Sequence, residues 1–183
     1  MTLSLKVPNQ MKLHIGGQEK HPEWKIFDIE KRDEVDYVGD ASDLSQFEDE
    51  SIEAIYASHV LEHFYYAINY ELSFTLLEWF RVLRKGGQLM ISVPDLRRLC
   101  WLYSRPETSI EERFQIMRMI FGGQTNEYDI HKVGFDFDIL CYYLSEAGFT
   151  ECHRVTDFNI FKNDCSTVQV FGNLISLNII AVK

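Results

Sequence analysis

The stretch Glu78–Asp95, EWFRVLRKGGQLMISVPD, reads as the end of a helix, a stop and a buried strand. Leu72, Leu76, Trp79, Phe80 and Leu83 recur at helical spacing with Val82 at the edge of the stripe. Arg84 and Lys85 fall in the expected last turn and Gly86-Gly87 follows, so a helix is predicted over 69–85 with the glycine pair as its cap. QLMISVPDL, Gln88–Leu96, is a near-continuous apolar run that Pro94 halts. Before the helix, SIEAIYASHV, Ser51–Val60, is a second such run, as expected of a strand buried on both faces, and Ser58-His59 fall at its carboxyl edge. Strand, helix and strand at this spacing make a parallel βαβ unit, and the fold class is α/β.

Working back toward the N-terminus, KLHIGGQEKHPEWKIFDIE, Lys12–Glu30, reads as two short strands joined by Gly16-Gly17 and too few residues for a helix. VDYVGDASDL, Val35–Leu44, is a brief third strand running into a loop. Nucleotide-binding α/β folds usually place a helix after the glycine turn, whose N-terminus holds a phosphate. Here none fits, which argues against a nicotinamide or flavin dinucleotide.

Toward the C-terminus the pattern turns helical. Pro94-Asp95 opens one helix through Trp101 and Tyr103. Ser109 and Glu112 form a capping box for a second, with Ile110, Phe114, Met117 and Phe121 on one side and Gly122-Gly123 as its end. A third helix is predicted from Asp136 to Ala147, stopped by Gly148. FTECHRVTD and SLNIIAVK are the last two strands; the loop between them shows no helical periodicity, so the final strand is expected to run antiparallel.

The chain has 183 residues, 46% of them hydrophobic, enough for one sizeable core and too few for a second full domain. A single domain is expected over 1–183, with 96–135 as a helical lid or dimerisation insertion. The net charge of −10 argues against gripping nucleic-acid phosphates. No apolar run approaches the roughly 18 to 20 residues that span a bilayer. Cys100, Cys141, Cys152 and Cys165 form no C-x-x-C pair and follow no signal peptide, so all four read as reduced thiols of a cytoplasmic protein, with Cys141 and Trp79 in the core. The expected partners are a small-molecule substrate and a second copy of the chain, with neither nucleic acid nor membrane.

In an open α/β sheet, ligands bind at the carboxyl ends of the strands near the point where strand order reverses. Reading those ends in order gives Gly16-Gly17, Asp28, Asp40 with Ala41, and Ser58-His59. Glycines let backbone approach a ligand, and a strand-end carboxylate can accept two ribose hydroxyls. A second carboxylate beside a small residue can accept from an adenine amino group. On spacing alone, Asp28 and Asp40 read equally well as turn formers.

With KLHIGG, FDIE, VGDASDL, YASHVLEHF, LLEWFRVLRKGGQLMISVPD and HKVGFDFDILCYYLSEAGF in this order, the chain resembles a class I S-adenosylmethionine-dependent methyltransferase of the methyltransferase type 11 group, from about Lys12 to its end. The resemblance implies a Rossmann-like, mostly parallel sheet with an antiparallel last strand and the first inter-strand helix shortened or absent. It implies S-adenosyl-L-methionine as cofactor, with Gly16 and Gly17 against the methionine part and Asp28 on the ribose. Asp40 and Ala41 then fall at the adenine, and Ser58 or His59 under the cofactor. It also implies methyl transfer to an O or N of a small polar metabolite, a saccharide first; a non-catalytic binding or scaffold protein on the same fold is the alternative. S-adenosylmethionine carries no phosphate, so the missing helix is no obstacle.

The histidines leave three readings open. His59, Glu62 and His63 stand at i, i+3 and i+4, on one side of a helical turn, and His131 precedes the helix on the substrate side. His63 and His131 are the catalytic candidates, as a base or as acceptor-orienting groups. A divalent metal is the second reading, since some relatives with an E-x-x-E-H pattern bind one, although His59 replaces the first Glu here. Bracing of the turn is the third, and no metal ligand is assigned.

Overall fold

The computed structural model describes residues 11–183. A seven-stranded sheet runs through it, built from β1 (Met11–Ile15), β2 (Trp24–Asp28), β3 (Tyr37–Val38), β4 (Ile52–Ser58), β5 (Leu83–Pro94), β6 (Glu151–Val155) and β9 (Ser176–Val182). A separate hairpin pairs β7 (Gln169–Val170) with β8 (Asn173–Leu174). The helices are α1 (Glu71–Val82), α2 (Leu96–Tyr103), α3 (Ile110–Phe121) and α4 (Phe137–Glu146). The sheet order is β3-β2-β1-β4-β5-β9-β6; β1 to β5 are mutually parallel, and β9 runs antiparallel to both β5 and β6. The mostly parallel α/β fold with an antiparallel last strand is thus as the sequence implied.

Between β1 and β2 there is no helix. Gly16 turns the chain at φ +71°, a conformation that favours glycine, and its N–H donates to the Phe27 carbonyl at 2.8 Å. β4 is buried on both faces, as its unbroken apolar run requires. Ile55 and Ala57 join the main core with Leu13, Ile15, Phe27, Leu76 and Trp79. Tyr56 and Ala54 face a second cluster with Trp24, Met90 and Phe161.

Several expectations are corrected. The helix before β5 ends at Val82, not Lys85, and Gly86-Gly87 is no helix cap. Arg84 to Gly87 form a bulge in β5, whose pairing with β4 jumps from Leu83 opposite Ile52 to Gln88 opposite Ala54. Gly86 takes φ +70° there, and a Cβ on Gly87 would fall 3.0 Å from the Glu53 carbonyl oxygen. The capping box of α3 forms as expected, with Ser109 accepting from the Glu112 N–H and Glu112 accepting from the Ser109 N–H. Its apolar stripe nevertheless points outward: Ile110, Phe114, Met117 and Phe121 are all exposed, and Ile116 is the residue buried, against Leu99 and Leu102 of α2. Finally, Cys141 and Cys152 form a disulfide rather than two thiols. The tight turn at Gly148, at φ +106°, returns the chain from α4 into β6 and brings their Cα atoms to 6.3 Å. Cys100 and Cys165 are free and exposed.

Candidate active site

A cavity of about 350 Å³ opens at the carboxyl ends of β1, β2, β3 and β4, where the strand order reverses between β1 and β4. Of the residues expected to hold a cofactor, Gly16, Asp28, Asp40, Ala41 and His59 line it, as does the catalytic candidate His63. Gly17, Ser58 and His131 do not. Gly17 packs on the buried ring of His14, where a Cβ would stand 2.6 Å from Nδ1, so its lack of a side chain serves the core. Gly16 lines the cavity, and a Cβ there would meet Val60 at 2.8 Å. Ser58 is the last residue of β4, and its Oγ is buried without a partner.

Asp28 ends β2 with its side chain nearly buried and held from two sides. Oδ1 accepts from the Glu30 N–H at 2.8 Å, and Oδ2 accepts from Arg32 Nη2 at 3.0 Å. The same Arg32 nitrogen donates to the Gly17 carbonyl at 2.9 Å, and Nε donates to Glu34 at 2.8 Å. Arg32 therefore ties the β1 turn to the end of β2 and fixes the carboxylate's orientation. Sequence reasoning missed it, because a contact with both Gly17 and Asp28 leaves no local pattern. Asp28 lines the cavity, and each of its oxygens keeps a lone pair, the acceptors that two vicinal hydroxyls need.

Asp40 closes a local turn, its Oδ1 accepting from the Ser42 N–H and hydroxyl at 2.8 and 2.7 Å, which leaves Oδ2 free. The following Ala41 is anchored from below: Trp79 Nε1 donates to its carbonyl at 2.8 Å. Trp79 is fully buried as expected, yet it also positions the cavity wall.

On the far side of the cavity stand Glu71, Glu127, Tyr128 and Lys132, the last three supplied by the segment between α3 and α4. That segment is stitched to the turn after β4, because the Lys132 N–H donates to the Glu62 carbonyl at 2.7 Å. His131 thereby comes to lie behind His63, ring centroids 5.0 Å apart. Glu62 is 1% exposed and lies between the histidines, with Oε1 3.2 Å from His59 Nδ1 and 4.0 Å from His131 Nε2. Burial pushes its carboxyl up, but the facing His59, His63 and His131 outweigh burial and hold it below the usual range. Burial lowers the His131 pKa, partly offset by Glu62.

With four carboxylates against one lysine on its walls, the cavity suits a ligand carrying positive charge, and its acceptors suit the hydroxyls of a ribose and the amino group of an adenine. Residues 18–91 match the model of a methyltransferase domain family. No curated protein matches the chain by sequence. Among solved structures, an S-adenosylmethionine-dependent methyltransferase from Archaeoglobus fulgidus superposes with a TM-score of 0.58 at 16% identity, over 95% of this chain and 86% of that one. One from Thermotoga maritima gives 0.56 at 16% identity, over 97% and 84%. Human N-acetylserotonin methyltransferase, in complex with S-adenosylmethionine, gives 0.51 at 15% identity, over 94% of this chain and 47% of that one. At these identities the likeness is one of fold. The sheet order and the superpositions give the chain the fold of class I S-adenosylmethionine-dependent methyltransferases. The segment that matches the methyltransferase domain model, residues 18–91, spans less than half of the chain.

Proposed function

We propose that the enzyme methylates an O or N of a small polar metabolite, with a saccharide as the first candidate. The observation that carries this reading is the polar far wall of the cavity, where Glu71, Glu127, Tyr128, Lys132 and His63 face the place an acceptor would enter. S-adenosylmethionine supplies an electrophilic methyl group when bound. The chain's task is then to hold the acceptor in line and to deal with its proton.

Asp28 takes the ribose hydroxyls in this reading, Asp40 and Ala41 the adenine edge, Gly16 the methionine part, and His59 the floor. Gly17 and Ser58 support that surface from behind. His63, backed by His131, handles the acceptor as the orienting or proton-accepting group. Segment 96–135 acts as the lid, since Glu127, Tyr128 and Lys132 close the cavity from it. The outward stripe of α3 favours a second copy as its cover, which sedimentation velocity tests. Among the described residues no helix is long and apolar enough to cross a membrane, and we place the protein in the cytoplasm.

Transfer of labelled methyl from S-adenosylmethionine to a panel of sugars, alcohols and amines tests the acceptor class. A polar acceptor labelled only in the presence of the enzyme supports the reading. Labelling confined to apolar or macromolecular acceptors contradicts it.

A further inference from the structure

Outside the cofactor cavity, the carboxyl edge of the sheet carries a second recess of about 310 Å³, lined by Asp95, Arg97, Arg98, Trp101 and Arg154. It shares no residue with the first. Asp95 follows β5, while Arg97, Arg98 and Trp101 lie on α2 and Arg154 is the penultimate residue of β6. Because β5 and β6 both run antiparallel to β9, their carboxyl ends point the same way, which brings the three arginines to one edge. Three guanidinium groups stand there against one carboxylate, in a chain whose net charge is −10.

That carboxylate is already engaged. Asp95 is buried; its Oδ1 accepts from the Arg98 N–H at 3.0 Å and its Oδ2 from Arg154 Nη2 at 2.7 Å. The pair fixes Arg154, whose side chain stays half exposed and keeps further N–H donors to offer. Arg98 is steadied by Trp101, its guanidinium carbon 5.6 Å from the ring centroid. Neither Arg97 nor Arg98 pairs with a carboxylate among the described residues. Asp136 and Asp138 line the adjoining recess with Arg97 and Arg154, but Asp136 caps α4 by accepting from the Ile139 N–H at 2.9 Å, and among the described residues neither aspartate forms an ion pair with an arginine.

We propose that this recess binds a phosphate-bearing small molecule through Arg97, Arg98 and Arg154. Guanidinium groups present paired N–H donors that match phosphate oxygens, and the positive charge in excess of Asp95 suits a phosphate dianion better than a carboxylate. Two of the three are held before a ligand arrives, Arg154 by Asp95 and Arg98 by Trp101, so less side-chain freedom is lost on binding. The recess falls at the small end of ligand pockets, which fits a phosphate monoester or a diphosphate rather than a polymer.

Calorimetry with inorganic pyrophosphate and with glycerol phosphate tests the site, at about 0.15 M salt where charges beyond roughly 8 Å are screened. One equivalent of each should bind, and glycerol should not. Arg97→Gln and Arg98→Gln, both at exposed positions, should each weaken binding about tenfold or more with a normal melting curve. Arg113→Gln removes the same charge from the exposed side of α3 and should leave the affinity within about twofold. Absent binding of both phosphates, or an equal loss in Arg97→Gln and Arg113→Gln, overturns the site. A single-stranded oligonucleotide that binds more tightly than pyrophosphate, with affinity rising with its length, overturns it in favour of a nucleic-acid surface.

Discussion

Replacing Asp28 by Ala removes the acceptor that the proposed site assigns to the cofactor's ribose. Both oxygens already accept one hydrogen bond inside the protein, from the Glu30 N–H and from Arg32, and each has one lone pair left for the cavity. Two ribose hydroxyls bound there form charge-assisted hydrogen bonds of about 1.5 to 3 kcal/mol each. Water enters the space left by the side chain, so the lower end applies, and the loss is about 3 kcal/mol, or roughly 150-fold in Kd. The fold loses less. Arg32 keeps the Gly17 carbonyl and Glu34 as partners, and its partly exposed pair with Asp28 contributes about 1 kcal/mol or less. That corresponds to a melting temperature lower by roughly 2 to 4 °C for a domain of this size. Calorimetry with S-adenosylhomocysteine on both proteins reads the affinity, and a thermal scan reads the fold. A Kd within about threefold of wild type, with a normal melting curve, would refute the assignment of Asp28 to the ribose.

Three further outcomes follow from other parts of the molecule. Trp79→Phe removes the N–H that holds the Ala41 carbonyl, so stability should fall by about 1 to 3 kcal/mol in denaturant titration and cofactor affinity by several-fold; unchanged affinity would detach Trp79 from the cavity wall. Burial lowers the His14 pKa from 6.5 to about 4, so the unfolded chain binds the extra proton between those values and stability falls on acidification through that window. The loss by pH 5 is about 2 kcal/mol, which denaturation at pH 7.5 and pH 5 should show in wild type and not in His14→Phe. Reducing the Cys141–Cys152 bond, which closes a short loop, should cost about 2 to 3 kcal/mol and raise the thiol count from two to four; four thiols in untreated protein would contradict the pairing.

What the sequence made legible is what rests on local pattern. The eight residues between Ile15 and Trp24 leave no length for a helix, and none forms there. Asp28 and Asp40 stand where the apolar runs stop, so their place at the strand ends could be read directly. Arg32 could not, because its value lies in reaching two chain segments at once, Gly17 and Asp28. The α3 stripe misled because periodicity shows which residues share a face and says nothing about which face meets the core. Ile116, with the partly buried Met119 and Ile120, packs on the α2 side instead. Gly17 and Gly16 look alike in sequence, and only the neighbouring His14 and Val60 tell them apart. His59, Glu62 and His63 were grouped by spacing, whereas the groups that hold the two rings, the Ile130 carbonyl and the Ser176 hydroxyl, come from distant parts of the chain.

The central claim is that S-adenosylmethionine binds at the carboxyl ends of β1 to β4. A crystal structure of the protein with S-adenosylhomocysteine tests it most directly. The account predicts one ligand in the cavity, both ribose hydroxyls within hydrogen-bond distance of Asp28, and the adenine beside Asp40 and Ala41. A ligand bound elsewhere, or one in the cavity with its ribose turned away from Asp28, would contradict it.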